Sequence, residues 1–161
     1  MFNELVEQIA CRLQNKNYQL SCAESCTGGA LAAAITSVAG CSGWFERGYV
    51  TYSNAAKQDC LGVSASTINK HGAVSEECAR EMAAGLLQHS CADYTIAITG
   101  VAGPSGGSDD KPVGCVWFAI ADKINGQLNI IAQRADFDGS RSFVQNSAVE
   151  FALRLLLVHI D

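Results

Sequence analysis

Residues 18–40 read YQLSCAESCTGGALAAAITSVAG: a short apolar stretch runs through a Gly-Gly pair into small residues of helical pattern. A strand that passes directly into a helix is one half of a βα unit. Such units stack into a sheet that helices cover on both faces. The alternation continues along the whole chain. Leu5, Val6, Ile9 and Leu13 mark a helix over 3–16, which Asn17 ends. A buried strand is expected over 18–24, a helix over 28–38 stopped by Gly40, and a strand over 45–52 in FERGYVTY. Ser53 or Asn54 caps a short helix to Leu61, and 64–71 adds a turn or two closed by Gly72.

Ser75 caps the next helix, which runs to about Ser90 with Glu76 and Glu77 in its first turn. YTIAIT at 94–99 is the next strand. The stretches 115–121 and 128–136 form a hairpin around Asn125-Gly126, and Ser140 caps a last helix to about His159. No linker and no repeat interrupts this order, so one domain over 1–161 is expected. Its predicted architecture is a three-layer α/β/α sandwich. The central sheet is mixed and mostly parallel, with an antiparallel hairpin near the C-terminus.

Composition excludes several classes of function. Eleven basic residues stand against sixteen acidic ones, for a net charge of -5, and no Lys or Arg run occurs. That is no footprint for a phosphate backbone, so no nucleic-acid partner is expected. No signal peptide and no long apolar run is visible, so the expectation is a cytoplasmic protein without a membrane partner. The eight cysteines include no C-x-x-C pair and no zinc-finger spacing. They read as small core residues, with no metal implied.

Sites in open α/β sheets gather at the carboxyl ends of the strands. Three loops lie there: 24–29, 52–57 and 99–107. In the first, Ser25 precedes Gly28 and Gly29 at a strand end, where a nucleophile is well presented. The alternative is that Ser25 and Thr27 only cap the helix. Glu24 either orients a partner or caps a helix. Cys26 lacks a visible base and is the poorer nucleophile. His71, His89 and His159 all fall near predicted helix ends, which points away from a Ser-His-Asp arrangement and toward a lysine base. Lys57 fits, since GYVTYSNAAKQ contains no carboxylate and Lys57 lies near a helix start, where the dipole opposes an ammonium. Tyr52 either shares in proton transfer or orients that lysine. The competing reading is a surface lysine beside a core tyrosine. The Gly-rich stretch TGVAGPSGG at 99–107 matches neither a Walker A nor a G-x-G-x-x-G pattern; it either turns backbone N–H groups to a ligand or is a plain flexible loop.

AESCTGG, GYVTYSNAAK and TGVAGPSGG, in this order and at these separations, resemble the CinA C-terminal domain family over nearly the whole chain. The resemblance implies hydrolysis of the carboxamide of nicotinamide mononucleotide to nicotinic acid mononucleotide and ammonia. It also implies Ser25 as nucleophile, Lys57 as base and Tyr52 as the third catalytic residue, with no cofactor and no metal. Backbone N–H groups of 25–29, together with Thr99, are expected at the oxyanion. Thr27, Gly28, Gly29, Asn54, Thr99, Gly100 and Gly103 are expected to hold a small nucleotide substrate, with Arg141 on its phosphate. Ala55 and the DGSRS loop depart from the family pattern, which often has acidic residues there. The apolar last helix suggests a homodimer or higher homo-oligomer. The rival function is a nucleotide-binding or interaction module without turnover.

Overall fold

The structure, a computed structural model, describes residues 2–160. The sheet takes the order β2-β1-β3-β4-β5, from β1 (Leu20–Glu24), β2 (Phe45–Val50), β3 (Tyr94–Gly100), β4 (Cys115–Asp122) and β5 (Asn129–Asp136). β2, β1 and β3 run parallel, and β4 runs antiparallel to both β3 and β5. Four of the five strands therefore point the same way, and the β4–β5 hairpin closes one edge.

Side-chain size divides the two faces. Leu20, Cys22, Ile96, Ile98, Phe118 and Ile120 face the layer of α1 (Asn3–Lys16), α2 (Ala30–Thr36) and α6 (Arg141–His159). The alternate residues Ala23, Ala97, Ala119 and Ala121 face α3 (Asn54–Leu61), α4 (Ala65–His71) and α5 (Glu76–Gln88). Strand periodicity places large residues on one side and small ones on the other. The small face lets α5 lie close to the sheet, and Thr95 Oγ1 donates to Ala83 O at 2.8 Å across that contact. α5 is equally close to the end of α3, where a Cβ on Gly85 would fall 1.7 Å from Leu61 O.

The expected boundaries shift by a few residues. Gly28 and Gly29 both have positive φ, at 61° and 101°, so helical conformation begins only at Ala30. Asn17 adopts the left-handed conformation, so β1 starts at Leu20 rather than Tyr18. β2 stops at Val50 because Thr51 and Tyr52 turn toward the cap of α3, although Thr51 N–H still reaches Glu24 O at 2.8 Å. Cys22, Cys26, Cys78 and Cys115 are buried core residues, whereas Cys11 and Cys91 are exposed. No described helix is long and apolar enough to cross a membrane.

Candidate active site

The carboxyl ends of β1, β2 and β3, the start of β4 and the start of α6 meet at one rim of the sheet. A cavity of about 280 Å³ opens there, lined by Ser25, Tyr52, Asn54, Lys57, Thr99 and Arg141 among others. The first, second and third loops thus share one pocket. Gly100 and Gly103 also line it, while Thr27, Gly28 and Gly29 follow Ser25 and Cys26 in the turn and are not among its lining residues. No carboxylate is among the lining residues. A larger cavity of about 530 Å³ lies at the opposite rim, between Tyr18, Asp122 and His159, away from these loops.

Ser53 caps α3 through its hydroxyl, which accepts from Ala56 N–H at 3.0 Å. This places Lys57 one turn into the helix, on the face toward the sheet. Its side chain is 1% exposed, and Nζ lies 3.0 Å from Ser25 Oγ. Two carbonyls complete its surroundings, Thr51 O at 2.9 Å and Tyr52 O at 3.4 Å. Carbonyls only accept. A neutral amine gives one N–H to each and keeps its lone pair for the Ser25 hydroxyl. Burial lowers the Lys57 pKa, against weaker opposing effects of Cys78 and Cys26. The helix start adds to that direction.

Glu24 is fully buried, and its carboxylate caps α2. It accepts from Gly29 N–H at 3.2 Å, Leu31 N–H at 3.0 Å and Ala32 N–H at 2.9 Å. The two alternatives for Glu24 resolve to the cap. These contacts occupy Gly29 N–H, one of the donors of 25–29 expected at the oxyanion. Ser25 N–H is bound to Ile98 O, and Gly28 N–H to Ser25 O, both at 3.0 Å. Only the N–H groups of Cys26 and Thr27 remain in this turn with no acceptor from another described residue. Thr99 is fully buried and donates its hydroxyl proton to Ala73 O at 2.8 Å, so that proton is committed to the neighbouring segment. Thr27 Oγ1 is buried with no hydrogen-bond partner.

Tyr52 lines the pocket, but its phenol is not the group that Lys57 meets. Its phenol lies at the pocket mouth, 58% exposed, and accepts from Arg141 Nη2 at 2.8 Å. Its backbone carbonyl, not its hydroxyl, is what Lys57 meets. Arg141 Nη1 donates to Gly103 O at 2.7 Å. Arg141 thus ties the second and third loops to the start of α6, with further N–H groups of its guanidinium left over. Cys26, beside the nucleophile, has its thiol pushed up to about 12 by burial, so at neutral pH it is no thiolate. Gln145, which sequence reading passed over, donates through Nε2 to Cys26 O at 2.9 Å. Among the described residues no group of His, Cys, Asp and Glu is placed to hold a metal ion.

Residues 2–160 match the family model described as the CinA C-terminal domain. A protein of Enterobacter agglomerans named nicotinamide-nucleotide amidohydrolase PncC is 48% identical over 155 residues, covering 96% of this chain and 93% of its own length. The protein of the same name from Escherichia coli K12 is 48% identical over 153 residues, covering 95% and 91%. Among solved structures, the competence/damage inducible protein CihA from Agrobacterium tumefaciens superposes with a TM-score of 0.91 at 41% identity, covering 98% of this chain and 94% of that one.

Proposed function

The chain belongs to the CinA C-terminal domain family, and on that premise we propose that it is a nicotinamide-nucleotide amidohydrolase acting through Ser25 and Lys57. Near full-length similarity to proteins of that name supports the substrate. The observation that carries the mechanism is the 3.0 Å approach of Lys57 Nζ to Ser25 Oγ in a buried, carboxylate-free pocket. A nucleophilic serine needs a base within about 2.6–3.2 Å, and a lysine serves once its pKa is lowered.

Lys57, neutral, takes the hydroxyl proton as Ser25 Oγ bonds to the carboxamide carbon. The carbonyl oxygen becomes an oxyanion beside the N–H of Cys26, the residue after the nucleophile, and that of Thr27. Collapse of this intermediate breaks the C–N bond. Lys57 returns its proton to the departing nitrogen, and ammonia leaves. Water, deprotonated by Lys57, then attacks the acyl-Ser25 ester. As the ester C–O bond breaks, Lys57 passes that proton to Ser25 Oγ, and the released pyridine carboxylic acid ionises in water. Arg141, at the first turn of α6, takes the phosphate with the donors that Gly103 and Tyr52 leave free.

The test is ammonia release from nicotinamide mononucleotide by the purified protein, with Ser25→Ala as control. A protein that binds the nucleotide but releases no ammonia would be the non-catalytic module instead.

A further inference from the structure

We propose that Gln145, outside the pocket on α6, is a positioning residue that sets the direction of the oxyanion donor at Thr27. The inference rests on the Ser25 mechanism. Residues 25–28 form a tight turn closed by Gly28 N–H on Ser25 O at 3.0 Å. The central peptide of such a turn joins Cys26 to Thr27. It has two orientations, related by a flip of the whole planar unit, and these separate turns of types I and II. Because a trans peptide is rigid, its C=O and N–H point opposite ways. Whatever grips the Cys26 carbonyl therefore aims the Thr27 N–H.

Gln145 Nε2 grips that carbonyl at 2.9 Å from an element 119 residues away. The acceptor is a carbonyl, so the amide nitrogen of Gln145 must face it. The other carbonyl of the turn, Ser25 O, is held by Gly28 N–H. Both carbonyls are thus anchored, and the two N–H groups opposite them, on Cys26 and Thr27, have no acceptor from another described residue. Thr27 itself opposes the flip, since a type II turn needs positive φ at that position and a β-branched residue resists it. Gln145 adds a hydrogen bond from α6, the helix whose first residue is Arg141. The residue that receives the phosphate and the residue that aims the oxyanion donor therefore lie one helical turn apart on one rigid element.

Replacing Gln145 with methionine keeps length and volume and removes the donor. We expect Gln145→Met to lower kcat about tenfold while KM for nicotinamide mononucleotide changes less than twofold, because the oxyanion forms only after substrate binds. Gln145→Arg, which restores a donor of sufficient reach, should recover most of kcat. In ¹⁵N-labelled protein, the Thr27 amide resonance should move in Gln145→Met and return in Gln145→Arg. Unchanged kcat in the methionine variant, or a rise in KM alone, overturns the proposal. So does a Thr27 amide that stays in place. If the wild-type protein releases no ammonia, the amidase reading fails, and the Thr27 resonance still decides whether Gln145 sets the turn.

Discussion

Ser25 and Lys57, 32 residues apart in sequence, meet at 3.0 Å across the rim of the sheet, and no carboxylate lines the pocket where they meet. An amine in water would be protonated and useless as a base. Here burial removes its solvation, and two backbone carbonyls take its N–H groups without adding a full charge. In the mechanism proposed above, this arrangement lets Lys57 accept the Ser25 proton without a histidine.

The Ser25→Ala variant should fold as the wild type and lose turnover by on the order of 10³-fold or more, as nucleophile removal does in serine hydrolases. Cys26→Ala should keep most activity, because burial keeps that thiol protonated at neutral pH and the variant retains the backbone N–H proposed at the oxyanion. Ammonia release by both variants decides the matter. An active Ser25→Ala with an inactive Cys26→Ala would transfer the nucleophile to the thiol.

Arg141→Ala should raise KM for nicotinamide mononucleotide by at least about tenfold, the loss expected for a charge-assisted contact to a phosphate. Nicotinamide riboside, which lacks the phosphate, should suffer much less. Some loss on both substrates is expected, since Arg141 also holds Tyr52 and Gly103. The ratio of the two losses is therefore the measurement, and equal losses would leave Arg141 a purely structural tie. Lysine should not restore the nucleotide preference, because it lacks the planar fork.

Much of this site was legible before any coordinates. The strand-to-helix turn at Ser25 and the carboxylate-free segment before Lys57 are local patterns, and β and α periodicity predicted the loops that meet. What stayed hidden depends on long-range packing. Tyr52 is close to Lys57 in sequence, yet its phenol turns to Arg141, 89 residues away. Glu24 had two open roles, and only the observed path of the chain through Gly28 and Gly29 brings three N–H groups onto its carboxylate. Gln145 sits in an ordinary helical pattern, and nothing near it in sequence marks its contact with Cys26.

Glu24 supplies a stability prediction. Glu24→Ala removes the acceptor of three N–H groups at a fully buried position. Only the Leu31 contact is buried; the Gly29 and Ala32 contacts are part-buried and open to replacement by water. A buried donor left unpaired costs about 1–3 kcal/mol, so the loss should be about 1–3 kcal/mol in urea unfolding. Glu24→Gln retains one oxygen and should lose roughly half as much. Both should also lose activity, because the capped turn carries Ser25. A variant with wild-type stability would show that solvent or neighbouring groups replace the cap.

The last prediction joins catalysis to stability through Lys57. Its folded pKa lies below the ordinary value of 10.5, and burial is the main cause. The base must be neutral, so kcat/KM should rise with pH through that lowered pKa. In the window between the folded pKa and 10.5, the unfolded chain binds a proton that the folded one does not. Stability therefore increases with pH across that window, and below it the full cost of burying the charged amine remains. Lys57→Met should abolish turnover and flatten this dependence. Its absolute stability is the poorer readout: relief from burying the amine is offset by leaving Thr51 O and Tyr52 O without their donor, at about 1–3 kcal/mol each. Urea unfolding of both proteins across the window measures the difference in slope. Lys57→Arg should also be inactive, since a guanidinium stays protonated and cannot accept the serine proton. Parallel stability curves for wild type and Lys57→Met, or an active arginine variant with an unchanged pH profile, would remove Lys57 as the base.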